Sequence, residues 1–169
     1  MLVLMRHAKA ESSPSGPVGG DIGRRLTRTG RADSAAAGRW LAAVGVVPDH
    51  ALVSAAERTQ ETWASVSEAS GSPATVEVSQ AMYGASAHSI IDCLRLVPES
   101  AGVVIFVGHN PETEALAVGL SDSEGHRDVE RELRSGFPTA TLAVYDVPMA
   151  WHDLAPELLT LRRTHTARA

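Results

Sequence analysis

Short apolar runs alternate with longer segments of helical periodicity along this chain of 169 residues. Leu2 to Met5 and Val103 to Val107 are continuous apolar runs, and runs this short predict buried strands. Ala51 to Ser54 and Ala74 to Val78 predict two more. Thr141 to Tyr145 and Leu158 to Arg162 are placed as late strands, antiparallel and at a sheet edge. A helix capped by Thr27 is expected to reach Val44, with Ala32, Ala35, Ala36, Trp40 and Val44 near one face and Gly45 and Pro48 ending it. Further helices are expected over Ala56 to Glu68 and Ala87 to Leu96. Another reaches Leu120 from Pro111, which suits a first helical turn because no intrahelical bond needs its missing N–H. Ser12 to Gly20 reads as a mobile loop, and Ser121 to Ser135 as a polar excursion with room for a short helix. This alternation implies a layered α/β fold. No repeat or linker divides it, and residues 1–169 read as one domain.

Polar chemistry is concentrated where two strands end. Arg6 and His7 directly follow the first apolar run, and Gly108 and His109 follow the run at Val103 to Val107. Ligands of open α/β sheets gather at the carboxyl ends of strands. Two histidines there, with arginines nearby, suggest a phosphoryl pocket and a nucleophile. The composition, 44% apolar and 21% charged, is that of a soluble globular protein. A net charge of −5 argues against a general nucleic-acid surface, so attraction for phosphate must be local. Cys93 is the only cysteine; in its apolar stretch it reads as core, not as a reactive thiol. No run has the roughly 18 apolar residues of a membrane span, and the amino terminus enters a strand at once, so a cytoplasmic protein without membrane contact is expected. The seven histidines form no tight ligand spacing, and neither metal nor cofactor is expected. His126, His152 and His165 read as solvated, and His88 has no evident role.

Four segments gather the remaining candidates: Met5 to Lys9, Asp21 to Gly30, Val53 to Thr62 and Val107 to Glu112. Arg6-His7-Ala8 follows a strand. A D-x-x-R-P-L-T-x-x-G pattern is present with Arg24 as its arginine and Arg25 where proline is usual. Ser54, Arg58, Thr59 and Thr62 fill an S-x-x-x-R-[AT]-x-x-T pattern, Gly108 to Pro111 read G-H-N-P, and Phe137 to Ala140 read F-P-T-A. In this order the chain resembles the histidine phosphatase, or phosphoglycerate mutase-like, superfamily, and within it the small SixA-type branch of phosphohistidine phosphatases. The likeness runs from Met1 to about Asp146.

The resemblance implies a three-layer α/β/α fold around a mostly parallel mixed sheet. It makes His7 a nucleophile that becomes transiently phosphorylated, with Arg6, Arg58 and His109 lining the phosphate. Arg24 joins from the preceding loop, and Lys9 and Asn110 are further candidates for substrate contact. The chemistry is coherent: neutral imidazole is a competent nucleophile, and arginine presents paired donors to phosphate oxygens. His109 is expected to act as a protonated donor as charge builds. Arg25 and Arg28 read equally well as solvated charges.

Larger relatives carry a glutamate acid after the third segment. Here that region runs from Glu77 to Gly84; Gln80 cannot donate a proton in that way and Glu77 sits in a predicted strand, leaving water or Glu57. General acid help is worth about 10²–10⁴ in rate, so phosphate esters are disfavoured. A phosphohistidine protein is the expected partner, because its imidazole leaves as a neutral molecule. Small phosphate esters or nucleotides are the alternative, and a catalytically silent phosphate-binding module is the contrasting class. Nothing in the sequence indicates the oligomeric state.

Overall fold

The computed structural model describes residues 1–12, 20–122, 131, 133 and 136–169. The strands are β1 (Leu2–Arg6), β2 (His50–Ser54), β3 (Thr75–Ser79), β4 (Val104–Gly108), β5 (Thr141–Asp146) and β6 (Thr160–Thr166). The helices are α1 (Arg28–Ala43), α2 (Glu57–Ser70), α3 (Ala87–Leu94) and α4 (Glu112–Leu120). The strands form one sheet of order β3-β2-β4-β1-β5-β6. Its first four strands are mutually parallel, while β5 runs antiparallel to β1 and β6 antiparallel to β5. The expected three-layer, mostly parallel mixed sheet is therefore present.

Side chains on successive strand residues face opposite ways, and the core divides accordingly. Leu2, Leu4, Leu52 and Phe106 join Ile90 and Leu94 of α3 and Leu116 and Leu120 of α4 on one face. Val3, Met5, Val53 and Ile105 join Ala37 and Leu41 of α1 and Trp63 and Val66 of α2 on the other. Neighbouring parallel strands β1 and β4 thus send their chains to opposite faces, β1 towards α1 and β4 towards α4. Such a divergence opens a crevice beyond the strand ends, and His7 and His109 stand at it.

Several expectations change. Only β6 is an edge on its side, because β5 is paired on both sides. The strand expected at Leu158 to Arg162 begins at Thr160 and reaches Thr166. The buried face of α1 consists of Gly30, Asp33, Ser34, Ala37, Gly38 and Leu41; of the expected face, Ala36, Trp40 and Val44 pack half-buried against the same core, and Ala32 and Ala35 are also only partly covered. Small residues face inward there because α1 presses on α2: a Cβ on Gly38 would lie 2.4 Å from the Val66 carbonyl oxygen. Helix α3 stops at Leu94, and Leu96 is 84% exposed. His165 is not simply solvated but stacks on Trp40 with ring centroids 4.5 Å apart. The expected mobile loop falls mainly on residues 13–19, and most of the polar excursion, with His126, on residues 123–130; both stretches lie outside the described residues. Among the described residues, no helix is long and apolar enough to cross a membrane.

Candidate active site

His7 leaves the end of β1 and is fixed by backbone on three sides. Its N–H donates to the Gly108 carbonyl at 3.0 Å, and its carbonyl accepts from Ala140 at 3.2 Å. The next N–H, of Ala8, donates to the buried Thr62 hydroxyl at 3.1 Å. The Lys9 carbonyl accepts from both the backbone N–H and the hydroxyl of Thr27. Gly30 is required at this contact, because a Cβ there would lie 2.1 Å from the Lys9 carbonyl oxygen.

The imidazole of His7 lies with Nδ1 2.7 Å from the Ala8 carbonyl oxygen. A carbonyl only accepts, so Nδ1 carries the proton and the neutral ring keeps its lone pair on Nε2. That is the tautomer an Nε2 nucleophile needs. The ring of His109 stands 5.3 Å away, centroid to centroid. Its Nε2 lies 2.8 Å from the Ser54 hydroxyl, while its buried Nδ1 has no partner among the described residues. With Ser54 donating to Nε2, the neutral His109 ring holds an N–H on Nδ1 available to an anion.

Arg6 and Arg58 are tethered alike. Nη1 of Arg6 donates to the Phe137 carbonyl at 2.8 Å, and Nη1 of Arg58 to the Asp21 carbonyl at 2.7 Å. In both residues the buried Nε has no partner among the described residues. A guanidinium held at one end by a backbone oxygen and open along its Nε edge can offer a phosphate two parallel donors. Unpartnered buried polar atoms are uncommon in native proteins, and among the described residues the Nε atoms of Arg6 and Arg58 and Nδ1 of His109 belong to one cluster.

Asp21 and Tyr83 are functional candidates that sequence reasoning missed. The Asp21 carboxylate accepts from Arg58 Nη2 at 2.9 Å, from the Tyr83 hydroxyl at 2.8 Å and from Arg24 Nη1 at 3.0 Å. The Tyr83 ring meets His109 edge-on, with centroids 5.5 Å apart. Asp21 stands three residues before Arg24 in the D-x-x-R pattern, which was its only signal; Tyr83 had none. The hydrogen bond from Tyr83 and those from the arginines hold the Asp21 carboxyl well below the usual carboxylate range, and the same bond pushes the Tyr83 hydroxyl up. Neither group is a ready proton donor.

The other expected contacts fare unevenly. Arg24 reaches the cluster through Asp21, with its Nε on the Glu11 carbonyl. Lys9 contributes its carbonyl, while its side chain is exposed. Asn110, expected to touch substrate, directs Nδ2 to Glu114 and to the Phe137 carbonyl; its donor therefore serves the frame around Arg6. Arg25, in place of the usual proline, pairs with Glu61 at 2.7 Å, as does Arg31. Glu77 lies in β3 beside His50, 3.1 Å away. Among the described residues, no group of three or more His, Cys, Asp or Glu could hold a metal ion.

Burial, reinforced by the cations of Arg58, Arg6 and Arg24 against the opposing hydrogen bond to Ala8, brings His7 down to about 4. Burial and the Arg58 charge bring His109 down to about 3. His109 is thus neutral at pH 7 without an anion, and a phosphate dianion would pull its pKa upward, towards the protonated donor expected from the sequence. The sign for stability follows. An unfolded imidazole titrates near 6.5, so between about 6.5 and 4 for His7, and about 6.5 and 3 for His109, the unfolded chain binds protons that the folded site refuses. Stability contributed by neutral His7 and His109 is full above these windows and is lost as pH falls through them. Nuclear magnetic resonance titration of the anion-free protein should show both rings with midpoints well below 6.5, rising when inorganic phosphate is added. Midpoints near 6.5 would contradict the packed geometry.

Comparison with known proteins places this arrangement. The model for the histidine phosphatase superfamily (branch 1) matches residues 2–82. A structure described as a candidate phosphohistidine phosphatase SixA from Nakamurella multipartitia is 31% identical. The match covers 99% of this chain and 96% of that one, with a TM-score of 0.84. The chain belongs to the histidine phosphatase superfamily. A second candidate SixA phosphatase, from Agrobacterium tumefaciens, is 29% identical over 86% of this chain and 90% of its own, with a TM-score of 0.73. An uncharacterized protein of Mycobacterium tuberculosis is 32% identical over 165 residues, 97% of this chain and 100% of its own length. The activity this histidine phosphatase shares with its family at the coarse level is hydrolysis of a phosphate-bearing substrate.

Proposed function

We propose that this chain is a metal-independent phosphohistidine phosphatase that works through a phosphoryl group carried on His7. What supports this reading most is the His7 tautomer: Nδ1–H is committed to the Ala8 carbonyl, which leaves the Nε2 lone pair within the arginine cluster. In the first step Nε2 attacks phosphorus as the phosphorus–nitrogen bond of the substrate breaks. The substrate imidazole, protonated on its distal nitrogen, takes the electron pair and departs neutral. Water then attacks the phosphoryl group on His7, releasing inorganic phosphate and regenerating the lone pair. Arg6 and Arg58 would hold the equatorial oxygens through their Nε edges, with His109 donating from Nδ1 and Arg24 supplying more distant positive charge.

A phosphorus–nitrogen bond is favoured because, among the described residues, the groups bonded around Arg58 and the histidine pair supply no ready acid. Asp21 is ionised, Tyr83 is bonded to it, and Gln80 is an amide. An alkoxide leaving group would forgo general acid help of about 10²–10⁴. The test compares a phosphohistidine protein with alkyl phosphates and nucleotides in the presence of chelator. The expected result is kcat/KM higher by about 10² for the phosphohistidine protein. Equal or better turnover of a nucleotide or sugar phosphate would replace this substrate assignment, and phosphate binding without turnover of any of them would leave a silent module.

A further inference from the structure

We infer that Asp21 is the positioning residue of the phosphate site, clamping the far end of Arg58 so that its Nε edge is committed to the phosphoryl group. This rests on Arg58 being a phosphate ligand, as proposed above, and assigns a role to a residue outside that set.

The geometry of one guanidinium carries the argument. Arg58 comes from α2, and its side chain is only 7% exposed. Its two terminal nitrogens both end on Asp21, Nη1 on the backbone oxygen at 2.7 Å and Nη2 on the carboxylate at 2.9 Å. This end-on grip uses one hydrogen from each terminal nitrogen. The Nε–H remains, with the second Nη2 hydrogen beside it, and the buried Nε has no partner among the described residues. A free arginine side chain samples many rotamers; held in this way, it has lost that freedom before an anion arrives.

The same carboxylate orders the opposite wall. It accepts the Tyr83 hydroxyl, whose ring lies edge-on to His109 and 6.0 Å from the Arg58 guanidinium carbon. It also accepts Arg24. One acidic side chain therefore joins α2, the turn after β3 and the segment before α1 around the histidine pair. A carboxylate facing three donors is suited to holding cations and would repel a phosphate dianion, so Asp21 acts through Arg58 and not on the substrate itself.

The test is a double-mutant cycle read by binding as well as turnover. Inorganic phosphate affinity, measured calorimetrically, and kcat/KM with p-nitrophenyl phosphate are determined for wild type, Asp21→Ala, Asp21→Asn, Arg58→Ala and the Asp21→Ala/Arg58→Ala pair. A misplaced guanidinium should weaken phosphate binding by about tenfold and lower kcat/KM by about 10–100-fold in Asp21→Ala. Asp21→Asn keeps the main-chain oxygen and one amide acceptor, so it should recover part of both losses. In the Arg58→Ala background the Asp21 change should add no more than about twofold, as expected of residues acting as a unit. Asp21→Ala within about twofold of wild type, or losses that multiply with those of Arg58→Ala, would overturn the inference. Calorimetry is independent of turnover, so failure of the phosphohistidine assignment leaves this test intact. A wild-type protein that binds no phosphate would overturn both.

Discussion

Replacing His7 with alanine is expected to lower turnover by about 10⁴–10⁶-fold, the loss seen when a covalent nucleophile is removed from an otherwise intact site. The residual rate would come from the cluster that binds and polarises the phosphoryl group. The backbone bonds that hold residue 7, from Ala140 and to Gly108, do not involve the imidazole, so the altered chain should fold. The decisive measurement is covalent labelling. Wild-type protein quenched during turnover of a radiolabelled phosphohistidine substrate should carry phosphate that is stable in alkali and labile in acid, as a phosphorus–nitrogen linkage is. The His7→Ala protein should carry none. Label retained in the mutant, or label located on His109, would remove His7 from the nucleophile's role.

Replacing Arg58 ranks second, and the choice of replacement separates two physical ideas. If only its positive charge mattered, lysine would restore most of the function. The structure instead uses the planar fork: both terminal nitrogens hold Asp21 while Nε stays open. A lysine ammonium is a point charge on a flexible stem and cannot do both. Removing one preorganised donor of this kind costs about 10²–10³ in kcat. Both Arg58→Ala and Arg58→Lys should therefore fall about 10²–10³-fold, with lysine recovering less than tenfold of the loss. Recovery by lysine to within a few-fold of wild type would show that charge alone suffices.

How much of this was legible in the sequence depended on whether the signal was local. Strands β1 and β4 announce themselves as apolar runs, and the polar residues at their ends stand out against them. The buried face of α1 was only partly legible: Ala36, Trp40 and Val44 do pack on the core, but Gly30, Ser34 and Gly38 are inward for close approach, and a hydrophobicity pattern does not register small residues. Strand β6 was placed early because Arg163, Thr164, His165 and Thr166 are polar, along an edge that needs little burial. The candidate nucleophile, its arginines and the second histidine all lay in recognisable short patterns. Their supports did not. Tyr83 meets Asp21 across 62 positions and Arg25 meets Glu61 across 36, and no periodicity reports a partner at such separations. The replacement of proline by Arg25 made sense only once Glu61 was seen beside it.

The clamp around His7, Ala8 and Lys9 has an evolutionary consequence. Those residues are bonded to β4, α2, the residue preceding β5 and the start of α1, whereas Asp21, Arg24 and Tyr83 lie on short turns away from that scaffold. Changes at Arg24 or in the turn bearing Tyr83 can retune which phosphorylated molecule is admitted without moving the reacting nitrogen, so long as Asp21 keeps its hold on Arg58. A lineage could therefore exchange substrates while inheriting its chemistry whole, and a designer could graft new rims onto the same anvil.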